Sequence, residues 1–595
     1  MLHKRGVKFD VITAGRKLMQ VVIPRLKIRI IDSLNFIPAP LAKFPKIFGI
    51  EGATKGMFPY RFNTKSNWNY RGDMPPFEYY LPEGTTIADL RLDQPVNSAD
   101  LDDDEGQLLH GLQQRKLWYD ETVAKGYTYV HFEELRRYCN NDTWLLYVSV
   151  QKFRDAFLSQ TATEKWSFDK EDPQSTSVDP FNNVTIASAV MSAFRHKFLD
   201  RDTIAYLAHS TDVHSRLSIQ WLEYTAHCDQ LRIRHARNGG EVWRAGMKVD
   251  GFCASTNMVY EFNGCFWHGC PKCYPARSHL YQRQKDKEAK LRAQGYHVVT
   301  MWECAFRDLQ VSDANFQEFM RKHPAVREKL PLNVREAFFG GRTNASCLYY
   351  KCDPTKGEFI KYLDFTSLYP WVNKFGIYPI GHPEIILNPS LVTLRKGLYF
   401  GIAKCRVVPP RNLYHPVLPT RLRDHLMFTL CRTCAEDESA AANCQHNDNE
   451  RAISGTWCTP EIDLAISKGY KITNVFEVHH FDEDHRVQGL FADFVNTFLK
   501  AKQEASGWPR ADMSDAEKNA YIDDYLDHED IQLDRASIEK KPGWRQVAKL
   551  MLTSLWGKFG QGGNMPQTKV CTTMRDLRAI MFNGKYEILS ADPCP

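Results

Sequence analysis

Residues 359–370 read FIKYLDFTSLYP, and they constrain the fold more than any other stretch. An apolar, β-prone run leads into Asp364, and Thr366 and Ser367 follow as residues able to cap a helix. The pattern predicts a buried strand that ends in a carboxylate and turns into a helix. A carboxylate so placed suits Mg²⁺, which takes carboxylate oxygens together with substrate phosphates. Taken alone, the same residues also describe a turn with a solvated Asp and a core Tyr.

A second stretch, residues 545–560, reads RQVAKLMLTSLWGKFG. At about 3.6 residues per turn, Arg545, Lys549, Thr553 and Trp556 share one helix face, leaving Val547, Leu550, Met551 and Leu555 to bury. Arg and Lys one turn apart suit a triphosphate, where positive charge stabilises a transferring phosphoryl group. The plainer reading is a basic amphipathic helix. The two stretches together resemble motifs A (D-x-x-S-L-Y-P) and B (K-x-x-x-N-S-x-Y-G) of the family B DNA polymerases. The resemblance implies that Asp364 holds Mg²⁺ and that Ser367 and Leu368 offer backbone N–H groups to the triphosphate. It implies that Tyr369 packs under the sugar and excludes a ribose 2′-OH. Arg545, Lys549 and Thr553 then bind nucleotide, and Gly557 and Lys558 face DNA. Thr553 stands where the family has Asn, and Trp556 where it has Tyr; both departures touch nucleotide selection.

At 595 residues the chain is long enough for several cores. Its net charge of +6 is too mild to indicate nucleic acid by itself. The most apolar early stretch, residues 11–34, is broken by Arg16, Lys17, Arg25, Lys27 and Arg29, so no bilayer span and no membrane partner are expected. No secretory signal is visible. The sixteen cysteines therefore read as thiols or metal ligands in a reducing, intracellular compartment. A nucleus fits if the source is a eukaryotic mobile element.

Near the amino terminus, GRKLMQVVI and KIRIIDSLNFI alternate as strands do, and IPAPLAKFPKIFGI reads as a proline-punctuated loop. Residues 100–106 read as a solvated acidic loop. A helix follows, with Leu135, Tyr138, Asp142 and Leu145 on one side. Tyr138 and Asp142, one turn apart, resemble the third motif of the proofreading 3′–5′ exonuclease domain, where Asp142 would hold metal and Tyr138 would orient the attacking water. The first two motifs of that domain are not found, so the amino-terminal region reads as a truncated remnant.

Two strands, one ending near Asp250 and one spanning residues 258–262, place Glu261 and Asn263 on one face. The pattern resembles the PD-(D/E)xK nuclease site, with Asn263 in place of its Lys. GCFWHGCPKC and the later VTMWECAF resemble the very-short-patch-repair endonucleases. That resemblance gives Asp250 and Glu261 to Mg²⁺ and His268 to catalysis, while Asn263 replaces a second histidine. Cys265, Cys270, Cys273 and Cys304 suit a closed tetrahedral Zn²⁺ site; the alternative is four buried thiols. Further on, Gly340, Gly341 and Arg342 permit close backbone approach and phosphate contact, though a Gly-Gly pair usually marks only a turn. They resemble the aromatic-Gly-Gly element with which protein-primed polymerases bind template DNA. Cys431, Cys434, Cys444 and His446, with Cys458 beyond, form either a second zinc site or a loop with incidental thiols.

The resemblance covers most of the chain and is closest to the protein-primed type B polymerases of large virus-like DNA transposons, the Mavericks or Polintons. The expected fold class is multidomain, α/β and α+β. The expected order is an RNase H-like exonuclease remnant (1–160), a helical connection (161–238) and a restriction-endonuclease-like module (239–310). A right-hand palm with motif A (330–380), an insertion that contacts the priming protein (381–540) and a fingers helix with motif B (541–595) complete it. The expected reaction is template-directed nucleotidyl transfer, with DNA template and primer, dNTPs and a terminal priming protein as partners, and Mg²⁺ and structural Zn²⁺ as cofactors. Motif C, an Asp-Thr-Asp, does not follow motif B before Pro595, so the chain is expected to be incomplete and inactive alone. The rival expectations are a zinc-stabilised DNA endonuclease and a non-catalytic DNA-binding remnant.

Overall fold

The computed structural model describes residues 9–588 apart from 15–16, 52–55, 91, 93–103, 164–176, 201–202, 205–213, 324–325, 327–330, 344, 346, 366, 424, 438–443, 561–567, 570, 572 and 584–587. The protein is mixed α/β, and its chain divides between two compact units. The first takes Met1–Asp200, Ser367–Lys374 and Phe491–Pro595; the second takes Arg201–Thr366 and Phe375–Leu490.

The first unit is built around the helix Pro542–Phe559. Proline at its first turn costs nothing, because an N–H there has no intrahelical partner. Its apolar side, with Val547, Ala548, Met551 and Leu555 at most 1 % exposed, packs on the helices Ala492–Glu504, Ile186–Lys197, His131–Thr161 and Phe44–Phe48. Aromatic rings tie the contact together: Phe491 meets Phe559, and Phe194 meets Phe491 and Phe494. An antiparallel sheet of Asp10–Ala14, Lys17–Ile23 and Ile28–Ile31 contains the two expected amino-terminal strands and one more. Two local expectations fail. Phe44–Phe48 is a helix within the expected proline loop, entered through Pro45. The expected acidic loop is helical from Asp104, where Asp104–Ala124 starts; its residues 100–103 lie outside the described residues.

The second unit holds two four-stranded sheets. In one, the strands lie in the order His297–Trp302, Met258–Asn263, Gly251–Cys253, Arg234–His235. The first two are parallel, joined through the helix Ser278–Ala293, and the remaining pairs are antiparallel. Gly251 has a packing reason: a Cβ there would sit 2.7 Å from Leu222 Cδ2 on the helix Arg216–Asp229. The other sheet is antiparallel, in the order Glu384–Ile386, Lys471–His480, Gly401–Val408, Ile453–Cys458. Its core centres on Trp457, fully buried, whose indole N–H donates to Pro419 O at 2.8 Å.

The strand expected to end at Asp364 is not formed. Residues 358–365 carry no strand, and Tyr362, Leu363 and Phe365 are 93 %, 85 % and 81 % exposed. The alternation is strand-like, but a strand persists only where a neighbour takes its backbone hydrogen bonds. Among the described residues, no sheet takes this segment in. No helix of the described residues is long and apolar enough to cross a membrane.

Candidate functional site

Ser367 has φ of +58°, a left-handed conformation uncommon for serine. It turns the chain into the helix Leu368–Phe375, whose first closing bond runs from Trp371 N–H to Ser367 O at 3.0 Å. The N–H groups of Leu368 and Tyr369 lie in this first turn, ahead of any intrahelical acceptor. Thr366 lies outside the described residues. Asp364 is exposed on the unpaired stretch of the second unit.

Within the first unit the two motifs meet. The rings of Tyr369 and Trp556 lie 4.9 Å apart, centroid to centroid. Arg545, Lys549, Thr553 and Trp556 are all exposed on the outer face of Pro542–Phe559. A third cation joins Arg545 and Lys549. Burial, with the positive charges of those two residues nearby, holds the Lys502 ammonium below its usual range. Lys502 lies on Ala492–Glu504 one turn beyond the buried Phe498. A lysine on an apolar helix face was the only signal that could have found it. Arg545 is steadied by Ser506, with Nε donating to Oγ at 3.0 Å, and Thr553 Oγ1 donates within its own helix to Lys549 O. Gly557 is exposed, whereas Lys558 is turned inward, donating to Ser188 Oγ at 3.3 Å.

Tyr138 and Asp142 lie together on His131–Thr161. Tyr138 hydrogen-bonds Tyr60 through the phenols and stacks on Phe58 at 5.3 Å. Burial, then Tyr60 and Asp142, push its phenol well above the usual range.

In the second unit the antiparallel register pairs Gly251 with Tyr260, which sets Asp250 beside Glu261. Asp250 Oδ2 accepts from Phe262 N–H at 2.7 Å. Glu261 is 2 % exposed, and Lys287 of the helix Ser278–Ala293 donates to its Oε2 at 2.7 Å. Burial first, then the Asp250 charge, lift the Glu261 carboxyl to about 7, against the pull of Lys287 and Gln284. Burial likewise raises Asp250. Asn263, on the same strand face, is fully buried, and neither its amide oxygen nor its nitrogen has a hydrogen bond. His268 hydrogen-bonds Gly264 O through Nδ1 at 3.2 Å. Sequence reasoning missed Lys287. Its helix is charged on every side, and only the buried Gln284, Glu288 and Leu291 betray an inner face.

Both cysteine sets converge. The ligand atoms of Cys265, Cys270, Cys273 and Cys304 lie within 4.8 Å of one another, and so do those of Cys431, Cys434, Cys444 and His446. A tetrahedral Zn²⁺ with Zn–S of about 2.3 Å and Zn–N of about 2.0–2.1 Å sets edges of about 3.8 Å between sulfurs and about 3.5 Å from sulfur to nitrogen. Cys270 and Cys304 are 3.8 Å apart, and His446 Nδ1 lies 3.5, 3.3 and 3.5 Å from Cys431, Cys434 and Cys444. The donors therefore fit such an ion. Gly269 makes the first loop possible: at φ of +65°, a Cβ would come 2.3 Å from Arg277 O. Cys458 stands apart, at the start of the helix Thr459–Ser467.

Gly340 and Gly341 are exposed; a Cβ on either would meet nothing within 4 Å, and neither has positive φ. The fold itself does not require glycine there. Arg342 lies over the Phe428 ring at 4.2 Å and donates to Pro416 O.

Comparison with known proteins comes to bear on this geometry. A probable DNA polymerase of Neurospora intermedia is 24 % identical over 242 residues, 40 % of this chain and 19 % of that protein. One of Podospora anserina is 36 % identical over 107 residues, 18 % of this chain and 8 % of that protein. The chain thus matches well under a fifth to about a fifth of these relatives' lengths. Phi29 DNA polymerase in an orthorhombic crystal form aligns at a TM-score of 0.19 and 16 % identity, over 34 % of this chain and 26 % of that one, which is below a shared fold. The profile of the family described as DNA polymerase type B, organellar and viral, matches residues 3–268 and 308–514, and the chain belongs to that family.

Proposed function

We propose that the chain carries the nucleotide-binding face of a DNA-directed DNA polymerase of the protein-primed kind. Two observations in the first unit carry this: Tyr369 packs against Trp556, and Lys502 lies near Arg545 and Lys549, which share the exposed face of the same helix as Trp556. Three cations gathered from two packed helices repel each other, and an anion relieves that repulsion. A triphosphate has the charge and the length to do so. The N–H groups that open Leu368–Phe375 add donors for phosphate oxygens. The Tyr369 ring then lies under the sugar, where a 2′-OH would clash with it. Asp364, in the second unit, is a carboxylate that would hold Mg²⁺, an ion that would supply charge to activate a 3′-hydroxyl and neutralise a leaving oxygen. Gly340 and Gly341, free of any packing duty, let a template strand approach the backbone. The right-hand palm and fingers, the exonuclease-like pair Tyr138 and Asp142, and the insertion at 381–540 that meets a priming protein belong to the same reading. Zn²⁺ in both cysteine sites is structural.

Nucleotide binding by the full chain tests this. Lys549→Ala and Arg545→Ala should each weaken Mg²⁺–dNTP binding about tenfold or more, the loss of a charge-assisted hydrogen bond of about 1.5–3 kcal/mol. Affinity for primed DNA should stay nearly unchanged. A fall in DNA affinity with dNTP affinity intact would overturn the assignment.

A further inference from the structure

The second unit holds a cavity of about 170 Å³, and none of the residues that line it belongs to motif A, to motif B or to a cysteine set. Five of them are polar. Thr420 and Arg421 lie on the strand Thr420–Leu422, and Thr429 follows its antiparallel partner His425–Met427. Arg432 opens the short helix Arg432–Glu436, and Ser454 lies on the strand Ile453–Cys458. Three separate elements thus face one space. The turn that bears Arg432 is fixed: Thr429 Oγ1 donates to Cys431 O at 2.7 Å and accepts from Cys431 N–H at 3.1 Å.

A guanidinium carries five N–H groups and no acceptor. Arg421 gives one to Phe338 O at 3.0 Å and lies 5.1 Å from the Phe339 ring centre. Arg432 gives Nε to Glu436 Oε1 at 2.7 Å. Both keep further N–H groups for a ligand. Among the described residues, Glu436 is the only carboxylate paired with either arginine. That pair is half exposed, so it contributes little and yields readily. Arg406 stands directly across from Ser454 in the antiparallel register, which puts a third cation beside the cavity. Such a lining selects an anion. A carboxylate is satisfied by one guanidinium in its own plane. Two guanidinium groups and the hydroxyls of Thr420 and Ser454, arriving from three elements, suit the tetrahedral oxygens of phosphate.

We propose that this cavity binds a phosphate group, and that the phosphate belongs to a single strand of nucleic acid. Arg421 and Arg432 pair with its oxygens, and Thr420 and Ser454 donate their hydroxyls. A free phosphate needs the cavity alone, whereas a strand also uses charge and an aromatic surface alongside. Arg406 continues the charge past Ser454. Phe338, whose carbonyl holds Arg421, is 55 % exposed, a ring of the kind on which a base stacks. The site shares no residue with the nucleotide face or with Gly340 and Gly341, so it stands or falls separately from them.

Fluorescence anisotropy of the full chain with a short labelled oligo-dT, over a range of salt, tests this. Arg432→Gln removes an exposed cation and should weaken binding about tenfold, the loss of a charge-assisted hydrogen bond. It should also flatten the slope of log affinity against log salt by about 0.7, the loss of one phosphate contact on a single strand. Ser454→Glu puts a negative charge into the cavity from an exposed strand position and should weaken binding about tenfold or more. Ser454→Gln, alike in size and uncharged, should cost at most about threefold. Circular dichroism and thermal melting report folding, and if Arg432→Gln fails to fold, Ser454→Glu against Ser454→Gln decides the matter. The measurement uses no dNTP, so failure of the nucleotide face leaves it intact. Inorganic phosphate, titrated by its phosphorus resonance, separates the two sources of the group. If it binds the wild type and not Ser454→Glu, while oligo-dT affinity is the same in both, the site takes free phosphate and the strand assignment is overturned. Unchanged oligo-dT affinity and salt slope in the folded variants, with no phosphate binding lost, would overturn the whole proposal.

Discussion

Tyr369 shows how one side chain links the two motifs. In sequence it lies far from Trp556; in the structure their rings are 4.9 Å apart. If the Tyr369 ring is the steric gate, Tyr369→Ala should narrow the preference for dNTP over rNTP about tenfold, or about 1.4 kcal/mol. Competition binding of the two nucleotide types measures this, and an unchanged ratio would place the gate elsewhere. Thr553→Asn should be tolerated, because Thr553 is exposed and its hydroxyl bonds only within its own helix. The two residues differ little in helix propensity, so thermal melting should shift by no more than a degree or two. Arg545 and Lys549 were legible in the sequence because an amphipathic helix writes its exposed face in its own periodicity. Lys502 and Lys287 were not. Each reaches its site from a different helix, and only tertiary packing makes that neighbourhood.

Elements explain the other successes and the one large miss. The strand pair that bears Asp250 and Glu261 could be read because alternation and a hairpin are local. The segment before Asp364 alternates equally well, yet whether it pairs depends on a neighbour that its own residues do not specify. The cysteine sites were readable from spacing, and the structure brings each set into one cluster. They should differ in what they support. Cys265, Cys270 and Cys273 meet Cys304 at the start of the helix Glu303–Ser312, so an ion there ties the strand Met258–Asn263 region to the far end of the module. Cys431, Cys434, Cys444 and His446 lie close together in sequence, so an ion there ties only a short stretch of chain. Elemental analysis of protein purified under reducing, chelator-free conditions should find one or two zinc ions. Cys270→Ser should remove one and lower the melting temperature, and Cys434→Ser should remove one with a milder effect. Acid should release both, because thiolate ligands must be deprotonated to bind. A preparation without zinc would reject both sites. Gly251→Ala tests the packing beside Asp250. Its Cβ would crowd the fully buried Leu222, and overpacking of this kind costs about 1–3 kcal/mol, measurable by denaturant unfolding.

At the scale of the whole molecule, the chain crosses between its two units at motif A itself: Asp364 belongs to one and Ser367 to the other. Composition announced none of this, since a charge of +6 on 595 residues fits many functions. Family membership rests on a match over residues 3–268 and 308–514, which reaches into both units and ends before the helix Pro542–Phe559. The central claim is that the outer face of Pro542–Phe559 binds nucleotide. Photolabelling the full chain with an azido-dATP analogue, followed by peptide mapping, tests it most directly. The label should fall on peptides from residues 542–559, from around Lys502 or from around Tyr369, and unlabelled dNTP should compete better than the matching rNTP. Labelling confined to other parts of the chain, or labelling that dNTP does not displace, would contradict the account.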